Sequence, residues 1–285
     1  PAAEVFPYSR QPYTIDRPTP DLVRLMDSIE HIGIAEPLIV RPRDTGGYEI
    51  ISGHRRDYCA KAVGLDTRPV LVRNYSDEEA DILVVDYNIN REDLLPSEKA
   101  KAYKLKLDAM KRQGQRTDLT SVQLAQKLSG KTSREILAEE VGESQDQVRR
   151  YIRLTHLIPE LLQRVDEGKM AMTPAVELSY IPDDLQHEVF DVMEQEDCSP
   201  SHAQTKKMRK LLESGNLSQD SILSVMQEEK PNQKEKITLH ADKVSKYIPK
   251  SVPIGGREAY ILKALEYYAK ARERQQEKAH REEAR

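Results

Sequence analysis

Tryptophan is absent from this 285-residue sequence, and phenylalanine and cysteine each occur only twice. With few large aromatics, and 38% hydrophobic against 32% charged residues, the chain is poorly supplied for one large core. Several small, mostly helical units joined by polar connectors are predicted, about two domains for this length. Cys59 and Cys198 stand far apart and in no metal-ligand spacing. A zinc site or disulfide framework is therefore not expected, and a reducing cytoplasm is. No apolar run nears the ~20 residues that span a bilayer, and no signal peptide is recognisable, so no membrane partner is expected. Neither sign of charge dominates, with 44 Lys and Arg against 48 Asp and Glu. Binding to nucleic acid would have to rest on local clusters rather than on the average charge. The chain begins at Pro1 rather than methionine, inside an ordered-looking segment, which predicts further residues upstream.

What is present centres on residues 48–60. Tyr48 to Ser52 is a short isoleucine-rich run that reads as a buried strand; Gly53 breaks it, and a helix follows from Arg55 to Gly64. A strand that turns through glycine into a helix leaves the first helical N–H groups without partners, at the positive end of the dipole. Arg55 and Arg56 in that first turn oppose the dipole unless an anion sits between them and the helix. A phosphate site and two solvent-facing arginines paired with acids such as Asp57 both satisfy this pattern.

Around that stretch, Thr19-Pro20 starts a helix with Leu22, Leu25, Met26 and Ile29 on one face and Gly33 as its stop. Residues 37–41 and 69–73 read as strands, and 44–47 as the turn that leads back into residue 48. Ser76-x-x-Glu79 is a capping box for a helix through Asp86. Short strands alternating with helices predict an α+β domain over residues 1–95. Strand signals then nearly vanish. Residues 96–229 are predicted to form an all-α domain, beginning with a helix from Ser97 to about Gln113 and a joint at 113–118. Another helix is read at 119–128, and later helix entrances at Thr173-Pro174, Pro182-Asp183, Ser199-Pro200 and Ser218. Met208 and Met226 are read as packing residues, and His156, His187 and His202 are assigned no metal.

Residues 134–153 carry the second informative pattern. A helix, a turn at Gly142 and a second helix capped by Ser144 place Leu137, Ala138, Val148 and Tyr151 where a helix-turn-helix packs. The second helix offers Ser144, Gln145, Gln147, Arg149, Arg150 and Arg153 on its polar faces. Amides read adenine edges, and arginine reads guanine or grips phosphate, so these six are the candidate DNA-binding residues. Residues 230–256 read as a charged linker with a short strand at 237–239, and 257–285 as a final helix. Its stripe of Ile261, Ala264, Leu265 and Tyr268 predicts a homodimer contact.

Residues 33–41, 48–64 and 87–98, followed by the helix-turn-helix, resemble the ParB/RepB partition proteins. Residues 33–41 look like the first family box, Gly53-His54-Arg55-Arg56 like its Gly-Glu-Arg-Arg box, and 88–94 like its Asn-x-x-Arg-x-Asp-Leu box. The resemblance implies a ParB/sulfiredoxin-like α+β domain, an all-α helix-turn-helix domain and a C-terminal helix. It implies CTP held by Gly33, Pro37, Gly53, His54, Arg55, Arg56, Asn88 and Arg91, with Mg²⁺ on Asn88. It further implies double-stranded DNA carrying a centromere-like repeat, a dimer that closes as a clamp, a ParA-type ATPase partner and a nucleoid-associated place in the cytoplasm. Three positions depart from the pattern: His54 replaces Glu, Glu36 replaces Gln, and Tyr87 stands where many members carry the hydrolytic Glu. A phenol is a poor base near neutral pH, so slow CTP turnover or none is expected.

Two other functions fit parts of the pattern. A transcriptional repressor would use the helix-turn-helix without a nucleotide. A sulfiredoxin-fold enzyme would use the α+β domain, although Ser52-Gly53-His54-Arg55 contains no cysteine and Cys59 lies further along the helix.

Overall fold

A computed structural model describes residues 1–91, 93–115, 130–228, 244–249 and 251–283. The helix read at 119–128, residues 116–118 of the joint and the strand at 237–239 lie outside these residues, as does most of the linker.

The polypeptide forms two compact units, Pro1–Lys230 and Pro231–Arg285. The first opens with β1 (Val5–Phe6), α1 (Pro20–Ile32), β2 (Leu38–Pro42), β3 (Tyr48–Ser52), α2 (His54–Ala62), β4 (Val70–Val72) and α3 (Asp77–Asp86). The sheet order is β1-β3-β2-β4, with β2 and β3 antiparallel and both outer strands parallel to their neighbours. Successive residues of β3 point to opposite faces. Ile50 joins Val5, Leu38 and Val40 in one cluster. Ile51 joins a second cluster with Ala80, Val84 and Val85 of α3. That is why the run reads as continuously apolar rather than alternating.

Helices follow: α4 (Pro96–Gln115), α5 (Ser133–Glu140), α6 (Gln145–Leu154), α7 (Pro159–Asp166), α8 (Met172–Leu178), α9 (Asp183–Gln195), α10 (His202–Glu213) and α11 (Gln219–Met226). Helix α4 continues to Gln115, past the expected start of a joint at 113. It ties the sheet side to the helical side. Its Ala102, Tyr103 and Leu107 share one core with Val84 of α3 and with Leu137, Ala138 and Val148 of α5 and α6. Lys106, buried on α4, binds the Asp86 carboxylate at the end of α3 and the Glu140 carboxylate of α5 at 2.6 Å. Asp81, wholly buried on α3, accepts from Tyr8 Oη (2.6 Å), Arg10 (2.9 Å) and Arg112 (2.6 Å), fastening the N-terminal segment to α3 and α4.

Two helix entrances differ from expectation. Helix α8 starts at Met172 after Ala171, so Thr173 and Pro174 lie inside its first turn. Proline is tolerated there because that N–H has no helical acceptor. Helix α10 is entered through Ser201, in a reciprocal capping box with Gln204, rather than through Ser199-Pro200. Met208 and Met226 pack in the helical core, as the packing reading has it, and Met193 packs beside them. The second unit carries α12 (Arg257–Glu283). No helix among the described residues is long and apolar enough to cross a membrane.

Candidate nucleotide pocket and nucleic-acid interface

Strand β3 ends at Ser52, and Gly53 turns the chain with φ +101° into α2. A Cβ at Gly53 would sit 2.5 Å from Leu38 Cδ2 and 3.3 Å from the Arg56 guanidinium, so only glycine fits. The Asp57 N–H bonds the Gly53 carbonyl at 3.0 Å, which leaves the three preceding N–H groups without a helical acceptor. Gly53 has no side chain to cap them. The residues that carry those donors, His54, Arg55 and Arg56, line a cavity of about 310 Å³.

That cavity gathers Gly53, His54, Arg55 and Arg56 from the start of α2 with Tyr87, Asn88 and Arg91 from the end of α3. Arg55 donates to the Thr19 hydroxyl at 3.0 Å, and Arg56 to the carbonyls of Glu36 (2.6 Å) and Pro37 (3.1 Å). Both guanidiniums are thus held by neutral oxygens, although the exposed Glu36 carboxylate also lies 3.4 Å from Arg56. Asn88 donates its amide to the Val84 carbonyl at 2.9 Å, which turns its Oδ1 into the available oxygen. Arg91 makes a two-pronged pair with Asp93 at 3.2 and 3.0 Å. Burial raises the Asp93 carboxyl, but Arg91 and Arg17 outweigh it and hold that group below the usual carboxylate range. Among the described residues, no cluster of three or more His, Cys, Asp or Glu could hold a metal ion. A divalent ion here would have the Asn88 oxygen and ligand oxygens, which suits Mg²⁺.

Gly33 and Pro37 are not on the cavity wall. Gly33 closes α1 with φ +72°, and Pro37 acts through the carbonyl that holds Arg56. His54 lines the cavity, but its ring is buried and its Nε2 accepts the Tyr8 N–H at 3.3 Å. Burial pushes its pKa down to about 4, against the opposing pull of Asp57 and Glu49. It is therefore a neutral brace and not a cation facing phosphates.

The facing wall was not anticipated. Gln11, Tyr13, Thr14 and Ile15 line the cavity. Tyr13 Oη donates to the Val85 carbonyl at 3.3 Å, and the Thr14 N–H donates to buried Glu98 at 2.7 Å. Glu98 also accepts from Leu95 N–H at 2.9 Å, capping α4, so the wall is anchored on the helix that packs against the helix-turn-helix. Pro7 and Pro12 mark this segment as extended, but no spacing in it signals that it folds over α2.

In the helix-turn-helix, Gly142 turns with φ +68° between α5 and α6, and the Ser144 hydroxyl caps α6 by accepting the Gln147 N–H at 3.1 Å. Val148 and Leu154 are buried, and Tyr151 meets Tyr103 edge-on at 5.6 Å. Gln145 is exposed and touches Glu135 at 3.3 Å, while exposed Arg149 has Asp146 at 3.4 Å. The other three candidates brace on α8 and the turn after it. Gln147 reaches Met172 Sδ at 3.5 Å, Arg150 donates to Thr173 Oγ1 at 2.6 Å, and Arg153 donates to Ser179 Oγ at 3.1 Å and to its carbonyl. A single face of α6, with Gln145 and Arg149, is left open.

Comparison with known proteins places both modules. The ParB N-terminal domain model matches residues 1–89, and the ParB HTH domain model matches residues 117–213. The chromosome-partitioning protein Spo0J of Thermus thermophilus is 33% identical over 170 residues, covering 60% of this chain and 55% of that protein. A nucleoid occlusion protein of Listeria innocua is 33% identical over 164 residues, covering 57% and 50%. The chain thus spans about half the length of the curated relatives it matches. A crystal structure of the C-terminally truncated ParB of Caulobacter crescentus, complexed to the centromeric parS site, matches with a TM-score of 0.41. Its identity is 24%, over 79% of this chain and 96% of that one. With the α/β module matched by one ParB domain and the helix-turn-helix by the other, in that order along one polypeptide, this chain belongs to the ParB family.

Proposed function

We propose that this chain is a sequence-specific DNA-binding partition protein of ParB type, a dimeric clamp on a centromere-like repeat whose closure depends on CTP and Mg²⁺. The observation that carries this reading is the single cavity uniting Gly53, Arg55, Arg56 and Asn88 in the same compact unit as the helix-turn-helix. Bound Mg²⁺ would offset the charge of the triphosphate, with Asn88 as its protein ligand. Slow turnover belongs to the same proposal. His54 Nε2 is occupied by Tyr8, Tyr87 is a phenol, and the Asp86 carboxylate is paired with Lys106, so no free base faces the cavity from these positions. Calorimetry with CTP, ATP, GTP and UTP should give binding of CTP that is lost in both Arg55→Ala and Arg56→Ala. CTP turnover with DNA should be slow in the wild type and rise in Tyr87→Glu. Equal affinity for all four nucleotides, or brisk wild-type turnover, would count against the respective halves.

Cys59 favours binding over thiol chemistry. It is buried, its Sγ donates to the Leu22 carbonyl at 3.9 Å, and burial pushes the thiol pKa up, away from the thiolate that a nucleophile requires.

For the DNA half, Arg149→Ala should cost ~1–3 kcal/mol on a selected duplex and relax preference at one position. Arg150→Ala and Arg153→Ala should also weaken it, since the donors left over from Thr173 and Ser179 remain available. Unchanged binding in all three would mean that α6 is not the recognition helix.

The dimer rests on α12. Ile261, Ala264, Leu265 and Tyr268 fall on one face, and Leu265 and Tyr268 are 58% and 67% exposed. A second copy of the same stripe would cover them, each large side chain contributing about 1.5–3 kcal/mol if fully buried. Removing residues 257–285 should halve the sedimenting mass and weaken a two-half-site duplex far more than a half site. An unchanged mass would remove this contact from the proposal. A ParA-type ATPase is the remaining proposed partner, to be tested by stimulation of its ATP turnover.

A further inference from the structure

Taking the helix-turn-helix as the DNA-binding element of the preceding proposal, we propose that α10 forms a second contact with the DNA backbone. It would grip phosphates beside the C-terminal end of α6 through Lys206 and Lys210. The link between the two helices is Tyr180, in the turn after α8. The Arg153 guanidinium of α6 lies 3.9 Å from its ring centre and the Arg209 guanidinium of α10 lies 4.3 Å from it. One exposed ring thus collects a cation from each helix.

Their other partners differ. Arg209 is paired with Glu177 at 2.7 Å and has Glu213 at 3.8 Å, while among the described residues Arg153 has no carboxylate within ion-pair distance and donates to the hydroxyl and carbonyl of Ser179. The Glu177 and Glu213 carboxylates offset Arg209, so Arg153 is the guanidinium at this ring without an acidic partner, and an anion passing beside it would supply one. The rest of α10 adds to the same face. Residues 206, 209 and 210 are neighbours on a helix surface, opposite buried Gln204, Thr205 and Met208. Lys207 is drawn away to Glu228, but among the described residues neither Lys206 nor Lys210 has a carboxylate within ion-pair distance, and both are exposed.

The phosphodiester backbone is the partner that this arrangement fits. Arg149 and Arg153 lie one turn apart on α6, so a duplex read by the open face of α6 continues past Tyr180 towards α10. Lysines on a flanking helix supply position-fixing contacts that carry no sequence information.

The test uses the full chain and two duplexes of equal length, one selected by this protein from a random library and one scrambled. Affinities are measured by fluorescence anisotropy over a salt series for the wild type, the Lys206→Gln/Lys210→Gln double variant and Arg149→Ala. If each lysine holds one phosphate, the double variant lowers the slope of log K against log salt by about 2. It weakens both duplexes by the same factor, whereas Arg149→Ala weakens mainly the selected one. An unchanged slope in the double variant, with Arg149→Ala still impaired, overturns the α10 contact and leaves the α6 reading standing. A loss confined to the selected duplex also overturns it, because that is base reading. Absence of binding to either duplex by the wild type removes both readings together.

Discussion

Gly53→Ala is expected to abolish CTP binding and to lower stability by about 2–5 kcal/mol. Two effects add at this position. The backbone has φ +101°, where an L side chain is strained by roughly 1–2 kcal/mol. The new methyl would stand 2.5 Å from Leu38, a fully buried residue of the sheet core that cannot swing away, and such overpacking costs about 1–3 kcal/mol. Relief requires β3 and α2 to separate, which displaces the N–H groups that would hold phosphate and pushes Arg56 off the Glu36 and Pro37 carbonyls. Gly46→Ala is the matched control. It has φ +87° but nothing within 4 Å of the new Cβ, so it should lose only the conformational share and keep its ligand. Urea unfolding and calorimetry with CTP on both variants read the two effects separately. Wild-type affinity in Gly53→Ala would mean that the turn is not the phosphate cradle.

Acidification should destabilise the first unit through His54. The unfolded imidazole has a pKa near 6.5, and the folded one about 4, because burial disfavours the cation more than Asp57 and Glu49 favour it. Above pH 6.5 both states are neutral and the full stability is present. Between about 6.5 and 4 the unfolded chain binds a proton that the folded chain refuses, and stability falls by about 1.4 kcal/mol per pH unit. The loss totals on the order of 3 kcal/mol and stops below the folded pKa. Protonation also removes the lone pair that accepts the Tyr8 N–H, freeing the segment that leads to the cavity wall. Since carboxylates titrate at the lower end of this range, the informative quantity is the difference from His54→Gln, whose side chain does not titrate. The wild-type curve of unfolding free energy against pH should be steeper than that of the variant between pH 6.5 and 4.5. Parallel curves would show that His54 is not held neutral.

The strand-to-helix turn at Gly53, where we propose that phosphate binds, was legible in the sequence because its parts are adjacent in the chain. A strand, a glycine and a helix bearing two arginines lie within residues 48–56, and the orphaned N–H groups follow from helix geometry alone. The same holds for the caps at Thr19, Ser76 and Ser144, each of which bonds a residue three positions on. The helix entrances misread at Thr173 and Ser199 failed for the complementary reason. Proline marks a first turn without fixing which residue of it comes first, and Ser201 with Gln204 made the better local cap.

Sequence alone therefore determined what rests on local bonds and on period: strands β2, β3 and β4, the turn at Gly53, the helix-turn-helix and the stripe on α12. Tertiary structure decided which side chains face the cavity. His54 became a buried brace because Tyr8, 46 residues earlier, presents its N–H to the ring. The wall opposite α2 exists because Thr14 meets Glu98 across 84 residues. Arg150 and Arg153 turn towards α8 because Thr173 and Ser179 offer oxygens there. Such bonds join segments with no fixed spacing between them. They are selected by the packing of α4 against both modules, which no window of the sequence contains.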